Sequence, residues 1–135
     1  MTATPHMPRP RVLVVDDDSA TRRGLAELLT DAGYESTAVE SFHEADRIAR
    51  TDPPDLLITD IRLSGYNGLQ LVLRFPELPA IVMTGYADPV LERDASQAGA
   101  TYIRKPLNVD ELLRIVRDKL FDKPPDRGGR GNGKR

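Results

Sequence analysis

Cysteine is absent from this 135-residue chain. Its absence excludes a disulfide framework, a thiolate nucleophile and a thiolate metal site, and is compatible with a reducing compartment. No apolar run approaches the ~18 residues that a membrane span needs, and the N-terminus has no signal-type hydrophobic region. The expected location is cytoplasmic, with no membrane partner. Neither sign of charge dominates: 19 Lys and Arg stand against 21 Asp and Glu, a formal −2 that gives no global attraction to nucleic acid. No internal repeat divides the chain.

With 39% hydrophobic and 30% charged residues, the composition is that of one globular domain with a real core. Residues 1–10 carry three prolines and no apolar periodicity, which reads as a disordered leader. Beyond Phe121 the sequence turns to Pro124, Pro125 and glycines among basic residues, so 122–135 reads as a disordered basic tail. Such Arg-Gly segments can track phosphate backbones, but nucleic acid is not expected as a partner of the domain itself.

Between the ends, short apolar runs alternate with helical patterns. The run Leu56-Leu57-Ile58-Thr59 ends on Asp60, the run Val12-Leu13-Val14-Val15 ends on Asp16 and Asp17, and Ala80-Ile81-Val82-Met83 ends on Thr84. A weaker strand is expected over 35–39, at a sheet edge, and another over 101–104. Helices are expected after Ser19 or Asp18, after the capping box Ser41 to Glu44, over a short stretch near Leu69, from Pro89 through Gln97, and after Asn108. Near-continuous apolar strands alternating with helices predict an α/β fold, a doubly wound five-stranded parallel sheet covered on both faces. Such sheets hold ligands outside the carboxyl ends of their strands, so Asp16, Asp17, Asp60, Thr84 and the Lys105-Pro106 turn should converge there.

Three carboxylates about 5 Å apart repel one another by roughly 3 kcal/mol per pair at an effective dielectric near 20, so such a site wants a cation. Oxygen-only ligands favour Mg²⁺, with Mn²⁺ possible, over zinc. A carboxylate nucleophile, a hard cation, a hydroxyl and a lysine together suit phosphoryl transfer, with Asp60 becoming an acyl phosphate.

At this point the sequence resembles the receiver domains of two-component response regulators over about residues 11–121. The likeness is carried by Val14-Val15-Asp16-Asp17, Ile58-Thr59-Asp60, Asn67-Gly68, Thr84-Gly85 and Lys105-Pro106. It implies a flavodoxin-like (βα)5 fold of strand order 2-1-3-4-5 and a cis Lys105-Pro106 bond. It implies that Asp60 accepts a phosphoryl group from a histidine kinase or phosphotransfer protein, that Asp16 and Asp17 help Asp60 bind Mg²⁺, and that Arg62 adds only its backbone carbonyl. Thr84 and Lys105 would contact the phosphoryl group, and Thr84 and Tyr102 would switch the face of the fourth helix, fifth strand and fifth helix toward a target or output domain.

Ser64 departs from the usual proline, and Arg62 and Tyr86 occupy variable positions where their bulk could obstruct hydrolytic water. His43 reads as solvated surface. Two further readings are a receiver fragment of a larger DNA-binding regulator or hybrid kinase, and a pseudo-receiver that is never phosphorylated. The intact acidic pair and Lys105 speak against the latter. An aspartate-nucleophile phosphatase would need a second Asp where Arg62 stands. The expected role is a phosphoacceptor signalling domain whose only chemistry is its own phosphorylation and dephosphorylation.

Overall fold

The computed structural model describes residues 8–121. Most of the expected leader and all of the expected tail, 1–7 and 122–135, lie outside the described residues. Residues 8–10 are described, and Pro10 is tied to the sheet by its carbonyl, which accepts from Glu35 N at 2.9 Å.

The elements run β1 (Arg11–Val15), α1 (Ser19–Asp31), β2 (Glu35–Val39), α2 (Phe42–Thr51), β3 (Leu56–Asp60), β4 (Arg62–Leu63), β5 (Tyr66–Asn67), α3 (Leu69–Arg74), β6 (Ala80–Thr84), α4 (Pro89–Gln97), β7 (Thr101–Arg104) and α5 (Val109–Phe121). Five strands form one parallel sheet in the order β2-β1-β3-β6-β7, which is the expected 2-1-3-4-5 order once the small β4-β5 pair is set aside. Polar β2 lies at an edge, as its composition predicted, whereas β3 and β6 are buried along their whole length.

Each apolar run feeds both faces because side chains alternate along a strand. Leu13, Val15, Leu57 and Val82 pack with Phe42 and Ala45 of α2, Leu71 of α3 and Ala95 of α4. Val12, Val14, Ile58, Ile81 and Met83 pack with Leu25 and Leu29 of α1 and Leu112 and Val116 of α5. Each of the larger side chains among them contributes roughly 1.5–3 kcal/mol on burial, and this double cover holds the sheet between its helices.

The helix starts are chemically explicit. Asp18, not Ser19, caps α1, accepting from Thr21 N at 2.9 Å; Ser41 caps α2 through Glu44 N at 3.2 Å; Asp88 caps α4 through Val90 N at 3.0 Å; and Asn108 accepts from Glu111 N at 2.9 Å. Glu44 completes a variant of the capping box, since its carboxylate accepts from the Ser41 hydroxyl at 3.4 Å. Between helices, Asp46 accepts from Arg74 Nε at 2.8 Å and Arg50 Nε at 3.1 Å, riveting α2 to α3. Burial works to raise the Asp46 carboxyl, but the two guanidinium bonds outweigh it and hold it below the usual range.

The connection from β3 to α3 is itself structured. Arg62–Leu63 and Tyr66–Asn67 pair antiparallel as a hairpin, with Gly65 at φ 75° in the turn. Leu63 is buried and holds the hairpin down on the sheet edge.

Candidate functional site

The parallel register delivers the acids to one rim. Val15 pairs with Thr59 and Asp60 pairs with Met83, so the residues that follow β1 and those that end β3 and β6 emerge side by side. Thr84 O accepts from Lys105 N at 2.8 Å, which brings the Lys105-Pro106 turn, a cis peptide as expected, to the same rim.

Lys105 is the electrostatic centre of this rim. Its Nζ lies 2.9 Å from Asp16 Oδ2 and 3.2 Å from Asp60 Oδ2. Asp16 is fully buried and also accepts from Asp18 N at 2.9 Å, so a second, backbone donor shares its charge. Asp17 is exposed and accepts from the Ser64 hydroxyl at 3.3 Å. Ser64 therefore has a polar partner on the acidic cluster.

Carboxylate oxygens of Asp16, Asp17 and Asp60 all lie within 4.8 Å of one another. One ammonium among three carboxylates leaves the cluster electron-rich, and an all-oxygen donor set fits a hard divalent cation. The residues present fit the ion.

Asp60 is 9% exposed. Burial pushes its carboxyl above the usual range and the Asp16 charge adds to the push; Lys105 and the Arg62 N–H, 3.4 Å from Oδ1, oppose it. For Lys105, burial alone would lower the ammonium, but the hydrogen bond and charge of Asp16, then the charge of Asp60, prevail and raise it. Lys105 thus offsets part of the burial that disfavours the Asp60 charge.

Thr84 is buried, and its Oγ1 accepts from Tyr86 N at 3.1 Å. Tyr102 packs its ring against the core beneath α4 and donates its hydroxyl to Tyr86 O at 2.9 Å. Arg62 lays its guanidinium 4.2 Å from the centroid of the Tyr86 ring. The N–H, the carbonyl and the ring of Tyr86 are therefore each engaged by a residue that the sequence marked, although Tyr86 itself was marked only for bulk.

Gly68 has a steric reason to be glycine. A Cβ there would overlap the carbonyl oxygen of Asp60 and stand 2.7 Å from Thr59 Oγ1, a hydroxyl that itself donates to Asp60 O at 2.9 Å. Asn67 Oδ1 accepts from Leu69 N at 2.8 Å and starts α3. The backbone under Asp60 is thus packed from below by the chain that follows it.

A family model for the response regulator receiver domain matches residues 12–117. The chain belongs to this family. Relatives agree: the DNA-binding transcriptional regulator NtrC of Klebsiella pneumoniae is 41% identical over 108 residues, covering 76% of this chain and 23% of that protein. A 14.6 kDa protein of Leptolyngbya boryana is 34% identical over 122 residues, covering 85% of this chain and 93% of its own. The solved CheY-like response regulator receiver domain of Methanospirillum hungatei is 30% identical with a TM-score of 0.79, covering 84% of this receiver domain and 95% of that chain. The receiver domain spans about a quarter of the length of the NtrC relatives it matches.

Receiver domains are signalling domains of two-component systems, and no helix among the described residues is long and apolar enough to cross a membrane. Sequence reasoning left out His43 and Tyr66 as a pair: His43 Nε2 lies 2.8 Å from Tyr66 Oη. His43 is exposed as expected, yet it is engaged. Nothing in the local sequence signals the pairing, which depends on the β4-β5 hairpin.

Proposed function

We propose that this receiver domain takes a phosphoryl group on Asp60 from a phosphohistidine of a sensor kinase or phosphotransfer protein. An Asp60 oxygen forms the new bond to phosphorus as the phosphorus–nitrogen bond of the donor breaks, and the departing imidazole keeps the electron pair and takes up a proton. The observation that carries this reading is the placement of Asp60 at the end of the central strand, 3.2 Å from a lysine that also neutralises the buried Asp16.

Asp16, Asp17 and Asp60, with the Arg62 carbonyl, would hold Mg²⁺ or Mn²⁺. When bound, the ion supplies charge neutralisation for the phosphoryl oxygens. Lys105 fixes the Asp60 carboxylate before transfer and pairs with the phosphoryl group after it. Thr84 then donates its hydroxyl to a phosphoryl oxygen. Its Oγ1 leaves Tyr86 N, and the loop that also receives the Tyr102 hydroxyl moves with it. The signal leaves through the face of α4, β7 and α5, toward a target protein or an output domain.

The NtrC relatives favour one elaboration, in which this receiver domain governs a DNA-binding output unit of the same regulator. The test of the core reading is phosphoryl uptake from a small phosphodonor with and without chelator. Uptake that stops with chelator and is lost on Lys105→Ala supports it. Uptake indifferent to both contradicts it.

A further inference from the structure

A hairpin with two residues in each strand is marginal by itself, so outside contacts decide where it sits. Leu63 anchors this one in the core, and three further side chains reach out. Arg62 lies on Tyr86, Ser64 donates to Asp17, and Tyr66 bonds to the start of α2. The Tyr66 contact is the most elaborate. Its ring stacks on Phe42 at 4.7 Å between centroids and 13° between planes, and the His43 ring stands edge-on to it at 4.9 Å. Phe42 is buried in the core, so the stack joins the hairpin to the rigid body of the domain.

The hairpin also meets the acidic cluster, through the Arg62 N–H on Asp60 and the Ser64 hydroxyl on Asp17. Arg62, whose N–H reaches Asp60 Oδ1, pairs with Asn67, the residue after Tyr66, and Leu63 pairs with Tyr66 itself. Tyr66 is thus one pairing step from the Arg62 backbone and two residues from Ser64.

We propose that His43 and Tyr66 are positioning residues for the phosphorylation site, a latch between α2 and the hairpin that sets the reach of the Arg62 backbone to the ion held by the three aspartates. This rests on the metal reading above. The latch touches neither the phosphoryl donor nor Asp60, so its loss weakens the hold on Mg²⁺ and leaves the transfer step at saturating Mg²⁺ unchanged.

The experiment follows phosphorylation of the full chain by phosphoramidate over a Mg²⁺ series in Tyr66→Phe, His43→Leu and the double variant. Hydrogen exchange of the peptide spanning 61–67 is recorded without metal. Tyr66→Phe keeps the ring stack and removes only the hydroxyl. Expected are faster exchange in that peptide and a half-saturating Mg²⁺ concentration raised about two- to tenfold, the worth of one hydrogen bond. The double variant should be no worse than His43→Leu alone, which already removes both the bond and the edge-on ring. His43→Gln, which can still reach the Tyr66 hydroxyl, should recover part of the loss. Half-saturation unchanged in both single variants overturns the proposal, even where exchange is faster, because that is what a purely structural contact would give. A parent chain that takes up no phosphoryl group at any Mg²⁺ concentration would overturn the phosphoacceptor reading instead, and the proposal with it.

Discussion

The guanidinium of Arg62 covers the ring of Tyr86, 4.2 Å from its centroid. The two residues come from the hairpin after β3 and the loop after β6, so the stack spans the rim between the strand that carries Asp60 and the strand that carries Thr84. Arg62 lies two residues from Asp60 and Tyr86 two from Thr84, so the bulk of this stack is expected to hinder water attacking an acyl phosphate on Asp60. Arg62→Asn with Tyr86→Ala should therefore shorten the phosphoryl lifetime, by roughly two- to fivefold if the barrier contributed is that of one exposed cation–π pair. Decay of the phosphorylated species by intact mass is the measurement, and an unchanged lifetime removes the stack from the account.

Lys105 neutralises Asp16, a carboxylate with no exposed surface. Lys105→Met would leave that charge buried with a backbone N–H as its remaining donor, and breaking a buried pair costs about 3–5 kcal/mol. Urea unfolding without metal should show a loss of this order. Added Mg²⁺ should recover more stability in the variant than it adds to the parent, because the cluster then holds three carboxylates and no ammonium.

Asp60 should make stability depend on pH in an unusual sense. Its folded carboxyl lies above the usual range, chiefly through burial, so the native state binds this proton more tightly than the unfolded chain. Its contribution is favourable while the carboxyl is protonated and is lost as pH rises from the ordinary aspartate value through the raised one. Asp60→Asn should accordingly raise the metal-free melting temperature at neutral pH, with the gain shrinking as pH falls through that window. Thermal unfolding from acid to neutral pH checks it, and a gain independent of pH would contradict the assignment.

Gly68→Ala forces a methyl group into the Asp60 carbonyl. Overpacking of this kind costs about 1–3 kcal/mol, and here the relief must come from the hairpin or the start of α3. A lower urea midpoint with slower phosphoryl uptake is expected, against unchanged uptake if Gly68 serves the turn alone.

How much of this was readable from the chain follows from what periodicity encodes. Strands β1, β3 and β6 were legible because each is a continuous apolar run that stops at a polar group, and α4 was legible from Pro89 at its start. The convergence of Asp16, Asp60 and Lys105 followed from parallel topology. The β4-β5 hairpin was not legible, because two-residue strands hold no period, and Gly65 with Asn67 and Gly68 reads equally as loop. The Arg62–Tyr86 stack, the His43–Tyr66 bond and the burial of Asp46 between Arg50 and Arg74 depend on how separate elements lie together. Side-chain pairing at that range leaves no mark on local sequence.

The account stands on Asp60 as the acceptor, and one measurement addresses it directly: intact mass of the full chain after incubation with Mg²⁺ and a small phosphodonor, native beside Asp60→Asn. A gain of one phosphoryl group in the native chain and none in the variant is the expected result. Equal gain in both, or none in the native chain at saturating Mg²⁺, would contradict it.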